Sequence, residues 1–369
     1  MWVESSQMNG LTISSLVGSS QYKAIADDTL KDEDNAAWVM GLEPHIRQEW
    51  VERITWIRFV DRLAEKELIE PGCANFQRFC AEWQCLVRDG RVRPDFEYAA
   101  MLSKIHDRWF KDQTNPVNQL SIQAWNQFLS ASTRYHQPDL VVPTLKAYEA
   151  MLQALSGSCF QFLPFLPAQL GEVAYAFGTL DQFFNNLRDL QEDAAQGICY
   201  LPTEVLQRFG VDRAAILELR AGQDVNFQQM MQFWLDDYLP TLLQKTISLF
   251  SATDLHPSWS IWRDWSFHRY RRIERVFREC HFDYTLFPQI YWAEVQQDLP
   301  AQLTMLQAQP RDYSLTSLDG RHSRVRQPLS TKFSRLRRGT ARGVRVLQNW
   351  LYHLSLKKAP EVDSETFYC

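Results

Sequence analysis

From Glu43 to Leu68, apolar side chains return every three or four positions: Ile46, Trp50, Ile54, Ile57, Val60 and Leu63. A helix turns about 100° per residue, so this spacing lines one face and commits that face to burial. The same pattern predicts helices over roughly 75–88, 95–111, 118–133, 141–164, 168–195, 211–247, 256–280 and 288–307. Pro71-Gly72, Pro94, Pro116, the Pro138 to Pro143 stretch and Leu201-Pro202-Thr203 separate these runs, and Thr203 is placed to cap a short helix. Alternating β-branched stretches are scarce, there are only 14 glycines, and no Gly-rich phosphate loop occurs. The economical reading is all-α: one large helical domain over 36–308, after a polar arm over 1–35 expected to pack little, and before a basic extension over 309–369. A chain of 369 residues can bury a large core.

The 13 Trp, 13 Tyr and 22 Phe have two explanations, a well-filled helical core or an apolar cavity for a long hydrocarbon, and the count does not separate them. A net charge of −5 argues against general nucleic-acid binding. It hides one asymmetry: Arg321, Arg324, Arg326, Lys332, Arg335, Arg337, Arg338, Arg342 and Arg345 fall in a stretch without Asp or Glu. Such a stretch is a solvated face or a contact for anionic lipid, each basic residue near the surface adding about 1 kcal/mol. The seven cysteines form no CxxC pair, which points to free thiols in a reducing compartment. The first twenty residues do not read as a secretory signal, and no apolar run reaches the roughly 18 residues a membrane span needs. A cytoplasmic protein with peripheral membrane contact through 321–345 is the expectation.

The stretch Gln182 to Pro202 reads QFFNNLRDLQEDAAQGICYLP. Asn185, Asp189 and Asp193 lie at i, i+4 and i+8, on one helical face, with Glu192 on the flank. Carboxylates at that spacing repel one another by a few tenths of a kcal/mol. A divalent cation over the row removes the repulsion, and hard oxygen donors without His or Cys suit Mg²⁺; a solvated acidic face is the bland alternative. A second pair, Asp61 and Glu65, repeats the spacing upstream, with Arg58 one turn earlier, as Arg188 immediately precedes Asp189. Facing each other, the two pairs would hold a cluster of Mg²⁺ around a diphosphate. A plain helical scaffold would instead leave 61–65 and 185–193 far apart. His45, His106, His136 and His268 form no ligand-spaced pair, and Ser158-Cys159 has no His at a recognisable distance. Trp262, Trp265 and Phe267 among Arg263, His268, Arg269, Arg271 and Arg272 read as a helix with a basic outer face.

Gln182, Asn185, Arg188, Asp189, Glu192, Asp193, Gly197, Tyr200, Leu201 and Pro202 match ten positions of a pattern, Q-x-x-N-x-x-R-D-x-x-E-D-x-x-x-G-x-x-Y-L-P, and the segment resembles the second Asp-rich motif of squalene and phytoene synthases. Arg58 through Glu65 is similar to that family's first motif, Gly157 to its V-A-G-S turn, and the likeness extends over about residues 40 to 300. Four departures stand out. Arg62 occupies the place of the usual second Asp, Glu65 that of the third. Asp32-Glu33-Asp34-Asn35 stands where S-R-S/T-F is expected, and Met151 where many members carry Tyr.

The resemblance implies an isoprenoid-synthase fold with a central apolar cavity and a transferase that joins two prenyl diphosphates head to head, in isoprenoid or carotenoid biosynthesis. It implies Asp61, Glu65, Asp189 and Asp193 as catalytic residues. Those four and Asn185 would be ligands of Mg²⁺ (with Mn²⁺ as an alternative), and Arg58 and Arg188 would be diphosphate contacts. Tyr291 matches a family tyrosine near the diphosphate, and its core position is the competing reading. Substrates would be farnesyl or geranylgeranyl diphosphate; chain length, NADPH use and oligomeric state stay open. The resemblance also admits a degenerate member that kept the fold and serves as an assembly or lipid-binding helper.

Overall fold

Helices account for the regular structure of the computed structural model, which describes residues 29–308 apart from 71, 138, 253 and 254; among these residues there is no strand. The chain starts with α1 (Thr29–Ala36) and a 3₁₀ turn, Ala37–Gly41. It continues through α2 (Pro44–Ile69), α3 (Asn75–Asp89), α4 (Ala99–Trp109) and α5 (Pro116–Tyr135). Next come α6 (Leu145–Leu152), a π turn Gln153–Gly157, α7 (Ser158–Gln161), α8 (Gly171–Arg188) and α9 (Leu190–Ala195). The remainder is α10 (Thr203–Phe209), α11 (Arg213–Leu217), α12 (Val225–Phe233), a π turn Trp234–Tyr238, α13 (Leu239–Ser251), α14 (Pro257–Glu279) and α15 (Phe287–Ala308).

Local chemistry sets many of these ends. Pro44, Pro116 and Pro257 stand in the first turn of their helices, where a missing N–H costs nothing. Asn115 accepts from Val117 N, and Thr144 from Ala147 N, as N-caps. Gly90 ends α3 at φ +65, a left-handed C-cap. Thr203 does not cap: Pro202 holds that position, and Thr203 begins α10 with its N–H bonded to Val142 O at 2.8 Å. The π turn at Trp234–Tyr238 ends two residues before Pro240, whose ring cannot continue regular i→i−4 bonding.

Helix α8 runs through the middle, packed against α6 with its π turn, α7, α13 and α14. The crossing is close because Gly178 and Gly157 meet backbone to backbone. A Cβ on Gly178 would overlap the Ser156 carbonyl and lie 2.8 Å from Gly157 Cα; one on Gly157 would lie 3.1 Å from Tyr175 O. Ser156 Oγ donates to Gln182 Oε1 at 2.5 Å, Gln182 Nε2 to Asn186 Oδ1 at 2.8 Å, and Asn186 Nδ2 to Tyr148 OH at 3.3 Å. The motif residue Gln182 is therefore spent on fastening α8 to α6.

Aromatic side chains fill the core. Trp38, Trp50, Trp259 and Trp262 form one group, with Trp50 4.8 Å from Trp38 and 5.5 Å from Trp259 between ring centroids. Trp83, Trp109, Trp125 and Phe162 form another, and Phe177, Phe184, Phe267 and Tyr270 a third around α8. Each well-oriented pair adds about 0.5–1.5 kcal/mol beyond the area it buries.

Two expectations change. Residues 29–35, assigned to a loosely packed arm, form α1 with Asp32 and Asp34 buried; residues 1–28 and the basic extension 309–369 lie outside the described residues. The basic face of α14 is split: His268 and Arg271 are exposed as expected, whereas Arg263, Arg269 and Arg272 are buried and pair with Asp264, Asp181, and Asp34 with Asp298. No helix among the described residues is long and apolar enough to cross a membrane.

Candidate functional site

The acidic row begins at the end of α8. The long helix expected over 168–195 bends at Asp189, where φ −94 and ψ 4 end α8 and start α9. The one-face arrangement survives, since Asp189 N bonds Asn185 O at 2.9 Å and Asp193 N bonds Asp189 O at 2.8 Å. Gly197, at φ +81 with open space around its missing Cβ, then turns the chain so that Tyr200-Leu201-Pro202 comes back past the row. The motif glycine is thus needed for its backbone, not for room.

Asp189 is gripped from both sides. Arg188 Nε and Nη2 each lie 2.8 Å from its carboxylate oxygens, and Lys31 Nζ lies 3.1 Å from Oδ2. Burial works against the charge, but Arg188 and Lys31 outweigh it and hold the carboxyl well below the usual range. Asp193 fares oppositely: burial and then the charge of Asp189 push it well above its ordinary value. On α2, burial pushes Asp61 up to about 6, and burial with the Asp61 charge pushes Glu65 up to about 7.

The two acidic pairs converge. Burial raises the Tyr200 phenol, and the charges of Asp193, Glu65, Asp189 and Asp61 all add to the rise, so one hydroxyl lies within electrostatic reach of all four. Lys31 bridges the same groups: it pairs with Asp189 and, at 3.1 Å, with Glu192, and its charge also reaches Glu65. Residues 61–65 and 185–193 are therefore not far apart, as a plain scaffold would have them.

Helix α1 closes this pole. Asp32 pairs with Arg58. Asp34 lies 3.3 Å from Arg272 Nη1 and accepts from Tyr291 OH at 2.5 Å. Asn35 Oδ1 accepts from Arg188 Nη1 at 2.8 Å and from Arg269. Arg58 thus has Asp32 of α1 as a partner, and its charge also favours the ionised form of Asp61. Tyr291 is fully buried and also reaches the pole, so its two readings merge. Arg62, in the place of an acid, is 3.5 Å from Glu65 Oε2.

The oxygen donors suit a hard divalent ion. Asn185 Oδ1 is buried without a hydrogen-bond partner while its Nδ2 donates to Asp181 Oδ2 at 3.0 Å, which leaves one acceptor aimed from the row and unsatisfied. Asp61, Glu65 and Asp193 are held back from ionising by burial, and the latter two also by a neighbouring carboxylate, which a cation would reverse. Among the described residues no three Asp, Glu, His or Cys side chains already enclose a single metal position, and Lys31 stands at the acidic row.

Several residues at the pole escaped the sequence reading. Asp181 accepts from Arg269 and, at 2.6 Å, from Tyr270 OH. Its position four before Asn185 extends the i, i+4 row by a turn, which was the available signal. His136 lies near Glu65, and burial lowers its pKa despite that carboxylate. Lys31 carried no local signal; Asp34 and Asn35 stood out only as a departure at the S-R-S/T-F position, and Arg269 and Arg272 only as part of a basic face. Met151 is fully buried on α6, and burial pushes the Cys159 thiol well up, which argues against a thiolate nucleophile there.

The squalene/phytoene synthase family model matches residues 142–252, a segment holding Gly157 and the whole second acidic motif but not the first. No curated protein matches the chain. Among solved structures, a crystal structure of a dehydrosqualene synthase in complex with ligand matches with a TM-score of 0.56 at 17% identity, covering 79% of this chain and 95% of that one. At that identity the likeness speaks for the fold.

Proposed function

We propose, for a chain that belongs to the squalene/phytoene synthase family, that it binds prenyl diphosphates at the acidic pole and joins two of them head to head with Mg²⁺. The observation that carries this is the bridging of the two motif helices by α1, whose Lys31 lies 3.1 Å from Asp189 and whose Asp32 pairs with Arg58, which brings both acidic pairs to one pole. Family membership and fold support head-to-head condensation as the general chemistry.

Asp61, Glu65, Asn185, Asp189 and Asp193 would hold the metal. When bound, Mg²⁺ (or Mn²⁺) supplies positive charge to the departing diphosphate, lowering the barrier to allylic ionisation. Arg58 and Arg188, from the two acidic helices, orient the diphosphate and neutralise its outer oxygens. The apolar side chains of α6–α8 and α12–α13 would keep water from the cation. The finer points belong to this proposal as well: an isoprenoid or carotenoid pathway, farnesyl or geranylgeranyl diphosphate as substrate, the 36–308 catalytic unit, and peripheral membrane contact through 321–345.

Purified protein incubated with Mg²⁺ and farnesyl or geranylgeranyl diphosphate should release pyrophosphate, and Asp193→Asn should abolish the release. A second reading has its own observation: α1 already satisfies Arg58 and Arg188, as Asp32 and Asn35 face them. Absence of both turnover and Mg²⁺-dependent diphosphate binding would leave the helper role, a family fold that binds lipid or assists assembly.

A further inference from the structure

Helix α1 carries charges complementary to both halves of the pole it covers. Lys31 Nζ sits 3.1 Å from Asp189 Oδ2 and 3.1 Å from Glu192 Oε2, on the acidic row where the metal is proposed. Asp32 and Asn35 take Arg58 and Arg188, the two residues proposed for the diphosphate, and Asp34 and Asn35 extend the same service to Arg272 and Arg269. One eight-residue helix thus presents a cation to the acids and oxygen acceptors to the bases.

What holds α1 is mainly these pairs. Its sequence, TLKDEDNA, offers Leu30 and Ala36 as its larger apolar contacts with the core, whereas Asp32 and Asp34 are each 3% exposed. The next segment is different: Ala37, Trp38 and Val39 are each 1% exposed and anchored in the tryptophan group. The backbone between them, at Ala36, has φ −129 and ψ 0 and leaves helical geometry. A firmly packed turn therefore carries a helix held by charge.

Resting on the reading of this pole as a Mg²⁺–diphosphate site, we infer that α1 is an internal counter-ion that occupies the pole in the ligand-free chain and must leave for the ligand to enter. Diphosphate drawn to Arg58 and Arg188 would otherwise be set against the buried Asp32 and Asp34, and like charges in a buried site repel strongly. Metal over Asp189 would be set against Lys31. The α1 pairs with Asp189, Arg58 and Arg188 have direct replacements in the ligand, while Arg269 and Arg272 keep Asp181 and Asp298, so displacement is an exchange of ion pairs and leaves no buried charge bare.

The test uses full-length protein, Mg²⁺ with inorganic pyrophosphate as probe, isothermal titration calorimetry, and hydrogen exchange of the 29–36 amides. The triple variant Lys31→Met, Asp32→Asn, Asp34→Asn keeps side-chain shape and removes the competing charges. It should bind the probe at least about tenfold tighter than the unaltered chain, and the probe should speed 29–36 exchange in the unaltered chain. Equal or weaker binding by the variant, with unchanged exchange, overturns the inference while leaving the diphosphate site standing. Absence of binding by both proteins, each still unfolding cooperatively, overturns the diphosphate site and the inference together. If the triple variant fails to fold, the exchange measurement on the unaltered chain decides: no probe-induced change in 29–36 overturns the displacement.

Discussion

Asp189 and Asp193 are one turn apart, yet they respond to substitution in opposite ways. Asp189 balances buried Arg188 and Lys31, so Asp189→Ala strands cations and should destabilise the protein by about 3–5 kcal/mol in urea unfolding. Asp193 is kept from ionising by burial and by its neighbour, so Asp193→Asn should leave stability at neutral pH unchanged or raised. The same variant should cut Mg²⁺-dependent pyrophosphate release at least about 100-fold. Asp61 and Glu65 give a pH signature. Their folded pKa values, about 6 and about 7, lie above the ordinary 3.8 and 4.5, so the folded state holds more protons across that window. In metal-free buffer their contribution to stability therefore falls as pH rises from about 4 to about 7. Asp61→Asn and Glu65→Gln should gain thermal stability over the unaltered chain at pH 7.5 and lose that advantage at pH 4; a constant difference would contradict the assignment. At this scale the acid row was legible because i, i+4 repetition is local. The α1 residues were not, because apart from Arg58 their partners are 153 to 257 positions away and a short polar segment looks like any solvated arm.

At the scale of elements, the crossing of α6 and α8 places the row. Gly178→Ala forces a methyl into the Ser156 carbonyl, which a rigid backbone cannot avoid. It should destabilise by about 1–3 kcal/mol, read by urea unfolding, while Gly90→Ala, in open space at a left-handed cap, tests backbone strain without a clash. Helix periodicity located most of the elements but not their breaks. The bend at Asp189 and the two π turns leave the apolar spacing almost intact, so nothing in the pattern announces them. The burial of Arg263, Arg269 and Arg272 on α14 was missed for a related reason. Arginine usually marks an outer face, and here acids from other elements reverse that rule.

For the molecule as a whole, the fold class followed from helical periodicity with few glycines, and the resemblance to squalene and phytoene synthases from ten motif positions, all within the 142–252 that the family model matches. The aromatic count was ambiguous in sequence, and the structure assigns much of it to core packing. The basic stretch 321–345 lies outside the described residues and keeps its sequence-level expectation. Sedimentation with anionic liposomes should fall steeply between about 0.05 and 0.5 M salt as the Debye length shrinks; salt-independent binding would exclude headgroup attraction.

Trp38 follows α1 after a single intervening residue, edge-on to Trp50 at 4.8 Å and stacked with Trp262 at 6.2 Å. Indoles fixed this closely in a chiral array share their electronic excitations and give a paired positive and negative band in circular dichroism. A departure of α1 that reached past the anchored turn would disturb that array and register, without any label, as a change in the couplet; an unchanged couplet would mean that the turn holds while α1 moves.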